Sequence, residues 1–370
     1  MTRSRVPPAL AGLLTVLAVA GAAACTGDDT ASSSPSPPDN TAITAPTQSP
    51  SPSTTSPAPT LSASPSRPEG PPTPRVAGVV ARDLAVPWGI DFLPDGSALV
   101  TERDRATIRR ILPSGRVRRV GTVTGVVPTS EGGLLGLAVS PTFAQDRWVY
   151  VYFTTSSDNR VVRMRYDGSG LGPQRPILTG IPAGFIHDGG RLEFGPDGTL
   201  YVSTGETGDG DLAQDRGSTG GKILRINPDG SIPSDNPDPG SPLWTLGHRN
   251  VQGLAFDARD RLWATEFGSD IWDELNRIQR GLNYGWPAVE GDADSEQYAD
   301  PLVQWRPDNA SPSGLAFAAQ SLWAASLNGE RLWQIPVRRG GGVRAPRAHF
   351  VGDYGRLRSV VVAPDGSLWV

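Results

Sequence analysis

From Val76 onwards, apolar and polar residues alternate in short stretches typical of β-strands. A degenerate unit recurs, in which an apolar stretch leads into a tight turn with Asp-Gly or a substitute, and then into a second stretch rich in Val, Leu, Trp or Tyr. Asp-Gly supplies the positive φ that a tight hairpin requires, and β-branched and aromatic residues favour strands. Six copies of this unit are recognisable, at residues 92–100, 139–151, 194–202, 256–263, 317–323 and 362–369.

The spacing of these copies predicts the fold. Consecutive copies lie roughly 45 to 62 residues apart, and the aromatic residue recurs at one place in the second strand, a pattern typical of propeller blades. We therefore expect an all-β protein, a six-bladed β-propeller. A β-helix or a sandwich is the competing interpretation, although the repeat is too long for a β-helix. Two long gaps, before and after the fourth copy, leave room for functional loops.

The sixth copy lies at the very end of the sequence. The chain stops at Val370, within the second strand of that copy. A propeller has to protect its edge strands, often by placing strands from both termini in one blade. Either the segment from Val76 to Leu84 completes the sixth blade, or the sequence is truncated. We expect truncation to contribute, so that the last blade is incomplete at its C-terminus.

Residues 1–25 have the pattern of an export signal. Arg3 and Arg5 precede an apolar run from about Ala9 to Ala20, and small residues lead up to Cys25, the only cysteine. The run is too short for a stable membrane span but typical of a signal sequence. We expect Cys25 to be lipidated, which would hold the protein outside the cytoplasm on a membrane. Cleavage after an Ala-x-Ala site, giving a secreted protein, is the alternative.

Residues 26–75 and 76–370 differ in composition. The first range is rich in Ser, Pro, Thr and Ala, and has too little apolar surface to offset its ordering entropy, so we expect a disordered tether. The second range carries the repeat and is the predicted folded domain. It contains no cysteine, which excludes a disulfide or a cysteine nucleophile. The net charge of −4 offers no basic footprint for nucleic acid.

Polar residues concentrate in the loops between the copies, which in a propeller gather at the mouth of the central channel. His187 lies just before the third copy. An imidazole there can accept a proton at physiological pH, as a general base must. For a lone histidine, a turn residue that caps backbone groups is the alternative.

Two further groups of polar residues suit an anionic ligand. Arg249, Asn250 and Gln252 share one short loop, and they offer a planar cation with paired donors and acceptors. Arg356 and Arg358 are spaced so that both can face one side of a strand. Two such arginines suit a ligand with several carboxylates, although each one taken singly is as consistent with a surface salt bridge.

Carboxylates cluster between Glu266 and Asp294. Hard oxygen ligands from loops, together with free backbone carbonyls, are what Ca²⁺ prefers. The spacing is not that of an EF-hand loop, and a solvated acidic loop is the alternative.

Several segments together resemble the glucose/sorbosone dehydrogenase family, soluble aldose dehydrogenases that depend on pyrroloquinoline quinone (PQQ). The matching segments run in family order from about Trp88 to the end of the chain. They are Pro87-Trp88-Gly89, Thr101-Glu102-Arg103, Glu131-Gly132-Gly133-Leu134-Leu135-Gly136, His187-Asp188-Gly189-Gly190, Gly220-Gly221-Lys222-Ile223-Leu224-Arg225, Gly247-His248-Arg249-Asn250, Asp273-Glu274-Leu275-Asn276, Asn283-Tyr284-Gly285-Trp286-Pro287, Ser311-Pro312-Ser313-Gly314 and Gly355-Arg356-Leu357-Arg358.

This resemblance implies both a fold and a reaction. The fold is a six-bladed propeller, and His187 would remove the proton of the sugar C1 hydroxyl while hydride passes to the quinone, giving a lactone. The implied cofactor contacts are Glu131, Gln214, Arg249, Asn250, Gln252, Arg356 and Arg358. One implied calcium ion would take the backbone oxygens of Gly268 and Ser269. A second, structural calcium would use Glu274, Tyr284 and Asp294.

Four residues depart from the family pattern. Phe267 replaces the usual His or Gln, Ser269 replaces a proline, Ser359 replaces an Asp after the arginine pair, and Glu206 stands where an Asp is common. From the resemblance as a whole, we expect a quinone-dependent oxidation of an aldose or related polyol, with a small-molecule sugar and an external electron acceptor as partners. The alternatives are a non-catalytic cell-surface propeller that binds a glycan or a protein, and a hydrolase that uses calcium and His187.

Overall fold

The computed structural model describes residues 72–370. The predicted signal, Cys25 and nearly all of the predicted tether lie outside this range. The described residues form an all-β propeller of five four-stranded antiparallel sheets, followed by one two-stranded sheet. Each four-stranded sheet is built from strands that are consecutive in the chain and pair with their sequence neighbours.

The strands are short, as expected for propeller blades. The first two sheets contain β1 (Pro87–Phe92), β2 (Ala98–Glu102), β3 (Thr107–Ile111), β4 (Val117–Thr122), β5 (Leu134–Val139), β6 (Trp148–Thr154), β7 (Asn159–Arg165) and β8 (Arg175–Ile181). The next two contain β9 (Leu192–Phe194), β10 (Leu200–Ser203), β11 (Lys222–Ile226), β12 (Leu243–Leu246), β13 (Val251–Phe256), β14 (Leu262–Glu266), β15 (Asp273–Ile278) and β16 (Val303–Trp305). The last two contain β17 (Pro312–Ala318), β18 (Ser321–Ser326), β19 (Arg331–Pro336), β20 (Arg347–His349), β21 (Val361–Val362) and β22 (Leu368–Trp369).

Helices occur only as single turns in the described range. They are α1 (Phe143–Asp146), α2 (Asp211–Gln214) and a 3₁₀ turn at Pro307–Asn309. Within residues 72–370, no helix is long and apolar enough to cross a membrane.

The recurring unit of the sequence forms the hairpin between the first two strands of each sheet, as predicted. Gly96, Gly198 and Gly366 adopt φ values of 80°, 77° and 82° at the turns. In the first of these turns the Asp95 carboxylate accepts hydrogen bonds from both the backbone N–H and the hydroxyl of Ser97. Where the Asp-Gly pair is replaced, Asp260 takes the positive φ instead, at 58°. The signal in each copy is therefore a local backbone requirement.

The hydrophobic core is divided among the interfaces between neighbouring sheets. One cluster packs Leu99 and Ile108 of the first sheet against Val149 and Val151 of the second. Another packs Trp263 of the fourth sheet against Leu322 of the fifth. Each sheet buries both of its faces, which explains why its inner strands are almost continuously apolar.

The short sixth sheet packs back onto the first. Trp369 lies edge-on to Phe92, with ring centroids 5.0 Å apart, and Leu84 joins the same cluster. The segment from Val76 to Leu84 contains no strand. It covers the junction by side-chain packing and adds no strand to the sixth sheet.

Candidate functional site

His187 lies in the loop between β8 and β9 and is buried. Its ring Nδ1 is 2.8 Å from Oε1 of Glu206, a buried carboxylate in the loop after β10. Because a carboxylate oxygen can only accept, Nδ1 carries the hydrogen in this pair and Nε2 is left with its lone pair. Within residues 72–370, Nε2 forms no hydrogen bond. The arrangement presents one basic nitrogen with a fixed orientation.

The backbone at His187 is held in an unusual conformation. Its φ is 57°, in the left-handed region that non-glycine residues rarely adopt. The conformation is fixed on two sides, because His187 N–H donates to Oε2 of Glu131 at 2.9 Å and its carbonyl accepts from Thr207 at 3.3 Å. The glycine that follows, Gly189, also has a positive φ, and a Cβ there would lie 2.5 Å from Thr204 Cα. Such strain is typical of functional sites.

Arg249 and Asn250 reach the same place from the loop between β12 and β13. This loop pairs with the loop after β10 through the backbone, since the Glu206 N–H donates to the Arg249 carbonyl at 2.9 Å. Arg249 Nε is 4.0 Å from Glu206 Oε1, and the guanidinium lies 5.3 Å from the centroid of the Trp286 ring. Asn250 Oδ1 accepts from the N–H of Gly189 at 3.1 Å. We call His187, Glu131, Glu206, Arg249 and Asn250 the His187 cluster.

Gln252 and Arg358 meet on the other side of the channel mouth. Arg358 donates to Gln252 Oε1 at 2.8 Å, and the Ser313 hydroxyl donates to the same oxygen at 2.9 Å. The pKa of Arg358 is lowered to about 10, chiefly by burial and also by the neighbouring Arg103 and Arg356. Glu131 acts in the opposite direction. Arg356 itself is exposed. The two predicted arginines and Glu131 therefore lie in one neighbourhood.

Arg191 and Trp88 form a layer beneath these residues that sequence reasoning did not identify. The Trp88 ring lies between two guanidinium groups, 4.3 Å from Arg191 and 5.8 Å from Arg358. Arg191 also donates to the Gln252 carbonyl at 2.8 Å and to the Ser359 hydroxyl at 3.3 Å. We call Trp88, Arg191, Gln252, Arg358 and Ser359 the arginine network. Trp88 could have been found, because it belongs to a segment that resembles the family, and Arg191 directly follows another such segment.

The arginine network carries more positive charge than its protein partners neutralise. Burial lowers the pKa of Arg191 to about 9, the nearby Arg358 adds to this effect, and Glu193 opposes it. Within the described range, neither Arg191 nor Arg358 forms an ion pair closer than 4.0 Å. A buried and a partly buried guanidinium group without a close carboxylate favour an anionic ligand.

Gln214 lies at the edge of the site, at the end of α2. It exchanges hydrogen bonds with Asn283 at 2.8 and 3.1 Å, and it donates to the Trp286 carbonyl at 2.6 Å. Lys222 supports this helix from below, since its buried ammonium donates to the carbonyls of Leu212, Ala213 and Gly220. Gln214 therefore reaches the His187 cluster through Trp286, on which Arg249 stacks.

The residues predicted to bind the first calcium lie in a tightly wound loop between β14 and β15. Glu290 Oε1 accepts four consecutive backbone N–H groups, those of residues 269–272, at 2.7 to 3.1 Å. Gly268 N–H donates to Asp273 at 3.0 Å. The backbone N–H groups of residues 268–272 therefore donate to the carboxylates of Glu290 and Asp273. The loop is held by these bonds and not by the carbonyls of Gly268 and Ser269.

The three residues predicted to bind the second calcium differ in their surroundings, although Glu274 and Tyr284 line the same cavity. Glu274 accepts from the Gly291 N–H at 2.7 Å and from Asn276 at 2.9 Å. The Tyr284 hydroxyl bonds to the backbone of Arg277 and Gln279, and Asp294 is exposed. Across residues 72–370, no group of three His, Cys, Asp or Glu side chains is placed to hold a metal. The set of Glu274, Tyr284 and Asp294, which includes a tyrosine, stays a prediction.

Glu274 nevertheless lies in a cavity rich in negative charge. The cavity is also lined by Glu266, Glu290, Phe267 and Trp286. Burial raises the pKa of Glu274 to about 8, with a further contribution from Glu266. Phe267, which takes the place of a polar residue in the family pattern, adds no donor or acceptor side chain to this cavity.

Taken together, the fold and the site define a propeller with a basic imidazole and an anion-binding arginine network at one end of its channel. The chain belongs to the glucose/sorbosone dehydrogenase family, whose profile matches residues 84–370. The resemblance found in the sequence is confirmed.

Similar proteins include solved structures. The PQQ-bound aldose sugar dehydrogenase of Streptomyces coelicolor is 52% identical, with a TM-score of 0.78, over 81% of this chain and 92% of that one. Aldose sugar dehydrogenase YliI of Escherichia coli is 30% identical over 79% of this chain and 88% of its own length. Quinoprotein glucose dehydrogenase B of Acinetobacter calcoaceticus is 36% identical over 60% of this chain and 54% of its own length.

Proposed function

We propose that this protein is a PQQ-dependent sugar dehydrogenase that oxidises an aldose at C1 to the corresponding lactone. The family and the relatives named above support a quinoprotein that acts on sugars. The observation that carries the mechanism is the His187–Glu206 pair, which engages Nδ1 of the imidazole and leaves Nε2 without a hydrogen bond in the described residues.

The residues present fit the charge and polarity of PQQ. The cofactor bears three carboxylates, and the arginine network offers the buried guanidinium of Arg191 and the partly buried one of Arg358, neither with a close carboxylate in the described range. In addition, Asn250 Nδ2 and Arg249 Nε are buried without a hydrogen-bond partner in the described range. Buried donors left unpaired are costly, and a ligand with carboxylate and carbonyl oxygens would satisfy them.

His187 is the proposed general base. Its Nε2 would accept the proton of the C1 hydroxyl, and Glu206 would stabilise the imidazolium that forms because it accepts from Nδ1. As the proton leaves O1, C1 can release hydride and become the lactone carbonyl. Glu131 would keep the imidazole in place by holding the His187 backbone. The two carboxylates thus have separate tasks, one electrostatic and one conformational.

Seven side chains would hold the cofactor in this proposal. PQQ, when bound, supplies an electrophilic quinone carbonyl that takes up hydride. Arg356 and Arg358 would bind its carboxylates, and an external acceptor would collect the electrons. The remaining proposed contacts are Glu131, Gln214, Arg249, Asn250 and Gln252.

We also propose a calcium ion at the backbone carbonyls of Gly268 and Ser269. The support is the fold of that loop, in which Glu290 occupies the amide side and leaves the carbonyls available. If calcium binds there, titration with Ca²⁺ should raise the melting temperature and EDTA should reverse the shift. A melting temperature that does not change on addition of Ca²⁺ would contradict the assignment.

Three further proposals concern the whole protein. We propose that the two-stranded sheet is an incomplete sixth blade, a proposal supported by its packing on the first sheet. We also propose that the protein works outside the cytoplasm and is anchored through a lipid on Cys25, as the sequence pattern indicates. Under this proposal, Cys25→Ser would release the protein from membranes into the medium.

The central experiment combines binding and turnover. The purified protein is mixed with PQQ and Ca²⁺, cofactor binding is followed by absorbance, and dye reduction is measured across a panel of aldoses. We expect PQQ to bind and several aldoses to reduce the dye. If PQQ did not bind and no aldose reduced the dye, the proposal would be contradicted and a non-catalytic propeller would be favoured. Sugar hydrolysis without dye reduction would favour the hydrolase alternative.

A further inference from the structure

Two large aromatic side chains are exposed in the described range, and both lie next to proposed site residues. Phe185 is 73% exposed and Tyr354 is 57% exposed. Phe185 precedes His187 by two residues, so their Cα atoms are within roughly 7 Å of each other. The other large apolar side chains that are exposed are aliphatic. A single exposed apolar residue needs no explanation by itself, but its position beside the proposed base does.

The loop that carries Phe185 is firmly fixed. A Cβ at Gly184 would lie 2.8 Å from Thr207 Cβ and 2.9 Å from its carbonyl oxygen, so the loop is packed tightly on that side. The Phe185 carbonyl accepts from the Glu131 N–H at 3.4 Å, and Glu131 in turn binds the His187 backbone. Glu131 therefore holds both residues, Phe185 through its backbone N–H and His187 through its carboxylate.

The chemistry of sugars explains such a placement. A pyranose ring has polar edges and faces lined with C–H groups, and an aromatic face attracts these weakly positive hydrogens. Ligand sites commonly combine aromatic walls with a few polar groups that set orientation. In this site the polar groups are the His187 cluster, whereas Phe185 offers an apolar wall within reach of the same sugar.

We propose that Phe185 is a specificity-determining residue that stacks on a C–H face of the aldose and orients C1 towards His187. This inference rests on the proposed function and adds to it a ring-binding surface. The same exposed ring could instead contact the electron acceptor, and the test below separates the two. In our proposal, Phe185 contributes to sugar binding and takes no part in proton or hydride transfer.

The first measurement is steady-state kinetics with PQQ and Ca²⁺, varying the sugar and the acceptor separately. Phe185→Ala should raise the KM for the sugar roughly tenfold and leave kcat within about twofold, because it removes a binding surface only. Phe185→Tyr keeps the ring and should restore the KM. Val79→Ala, which shortens an exposed apolar side chain far along the chain from His187, is the matched control.

The second measurement does not require turnover. A 1-deoxy aldose lacks the C1 hydroxyl and cannot be oxidised, so its binding can be followed by saturation-transfer NMR in the PQQ-loaded protein. We expect binding to the wild type and about tenfold weaker binding to Phe185→Ala. An unchanged sugar KM with unchanged deoxy-sugar binding would overturn the inference, as would a rise confined to the acceptor KM. An inactive wild type that still binds the deoxy sugar through Phe185 would count against the proposed oxidation alone.

Discussion

The protein contains two buried histidine–glutamate pairs with the same geometry and different surroundings. In each pair Nδ1 lies 2.8 Å from a glutamate oxygen, from Glu206 for His187 and from Glu266 for His248. His248 also uses its second nitrogen, at 2.9 Å from the Thr245 hydroxyl, and stacks on the Tyr284 ring with centroids 4.7 Å apart. His187 has neither contact. Both ring nitrogens of His248 are therefore bonded to protein, whereas only Nδ1 of His187 is bonded within the described residues.

This difference shows what separates a structural histidine from a candidate base. A histidine whose two nitrogens are both bonded to protein has no site for a substrate proton. His248 joins three loops, because Glu266 also accepts the backbone N–H of Arg249 and Tyr284 covers the ring. His187 instead keeps one nitrogen for a ligand at the cost of a strained backbone. The predictions below test this division, beginning with the largest effect.

Replacing His187 should abolish most of the activity. His187→Asn is expected to lower kcat by about 10²- to 10⁴-fold, since the general base is lost. Cofactor binding, measured by absorbance, should change little, because the arginine network is intact. If His187→Asn retained more than a tenth of the wild-type kcat at every pH, the proposed base would be wrong.

Replacing His248 should act on folding instead. His248→Ala removes a ring that is fully buried and leaves Glu266 without its imidazole partner. We expect a loss of about 2–4 kcal/mol in unfolding free energy, measured by chemical denaturation. Molecules that remain folded should keep a kcat within a few fold of wild type. A variant that is fully stable but inactive would reverse the roles of the two histidines.

Much of the fold could be predicted from the sequence, because its signals are local. Asp95-Gly96 and its counterparts specify hairpins by turn chemistry alone, and the six copies are found at hairpins. The completion of the last sheet could not be predicted in this way. Whether Val76 to Leu84 pairs or only packs depends on contacts with Trp369, almost 300 residues away in the sequence, for which no local pattern exists.

The candidate site was predictable only in part. The resemblance named His187, Arg249, Asn250, Gln252 and Arg358, which the structure brings to one end of the channel. It did not indicate that Arg191 stacks on Trp88, because such a stack depends on three-dimensional packing between the ends of two sheets. It also suggested a calcium set at Glu274, Tyr284 and Asp294, which stays a prediction. Spacing along a loop does not determine where its carboxylates point.

Glu206 should matter less than His187 and more than its counterpart Glu266 for catalysis. Glu206→Gln keeps a hydrogen bond to Nδ1 but removes the charge that would stabilise an imidazolium. We expect kcat to fall about 10- to 100-fold with little change in the sugar KM. Glu266→Gln is the matched control, and its main effect should be on stability. Equal losses of kcat in the two variants would contradict the division between the pairs.

Glu193 extends the comparison to a half-buried carboxylate that has no imidazole partner. Its carboxyl lies near Asp91 and Arg191. The pKa of this carboxyl is raised from 4.5 to about 8, chiefly by burial and also by Asp91, while Arg191 lowers it. Below about pH 4.5 the carboxyl is protonated whether the chain is folded or unfolded, so it costs no stability there. As the pH rises towards 8, the unfolded chain is ionised and the folded chain resists ionisation, so the folded state loses relative stability.

Glu193→Gln should therefore stabilise the protein in alkaline but not in acidic buffer. We expect a gain of about 1–2 kcal/mol at pH 9, a figure discounted because the side chain is only half-buried, and no gain at pH 4.5. The measurement is urea unfolding at the two pH values, with Glu296→Gln as a control for the loss of one exposed charge. A gain that is the same at both pH values would mean that the carboxyl is not destabilised by ionisation. In that case a half-buried carboxylate would need no imidazole partner, and the reason for pairing Glu206 and Glu266 with histidines would have to lie elsewhere.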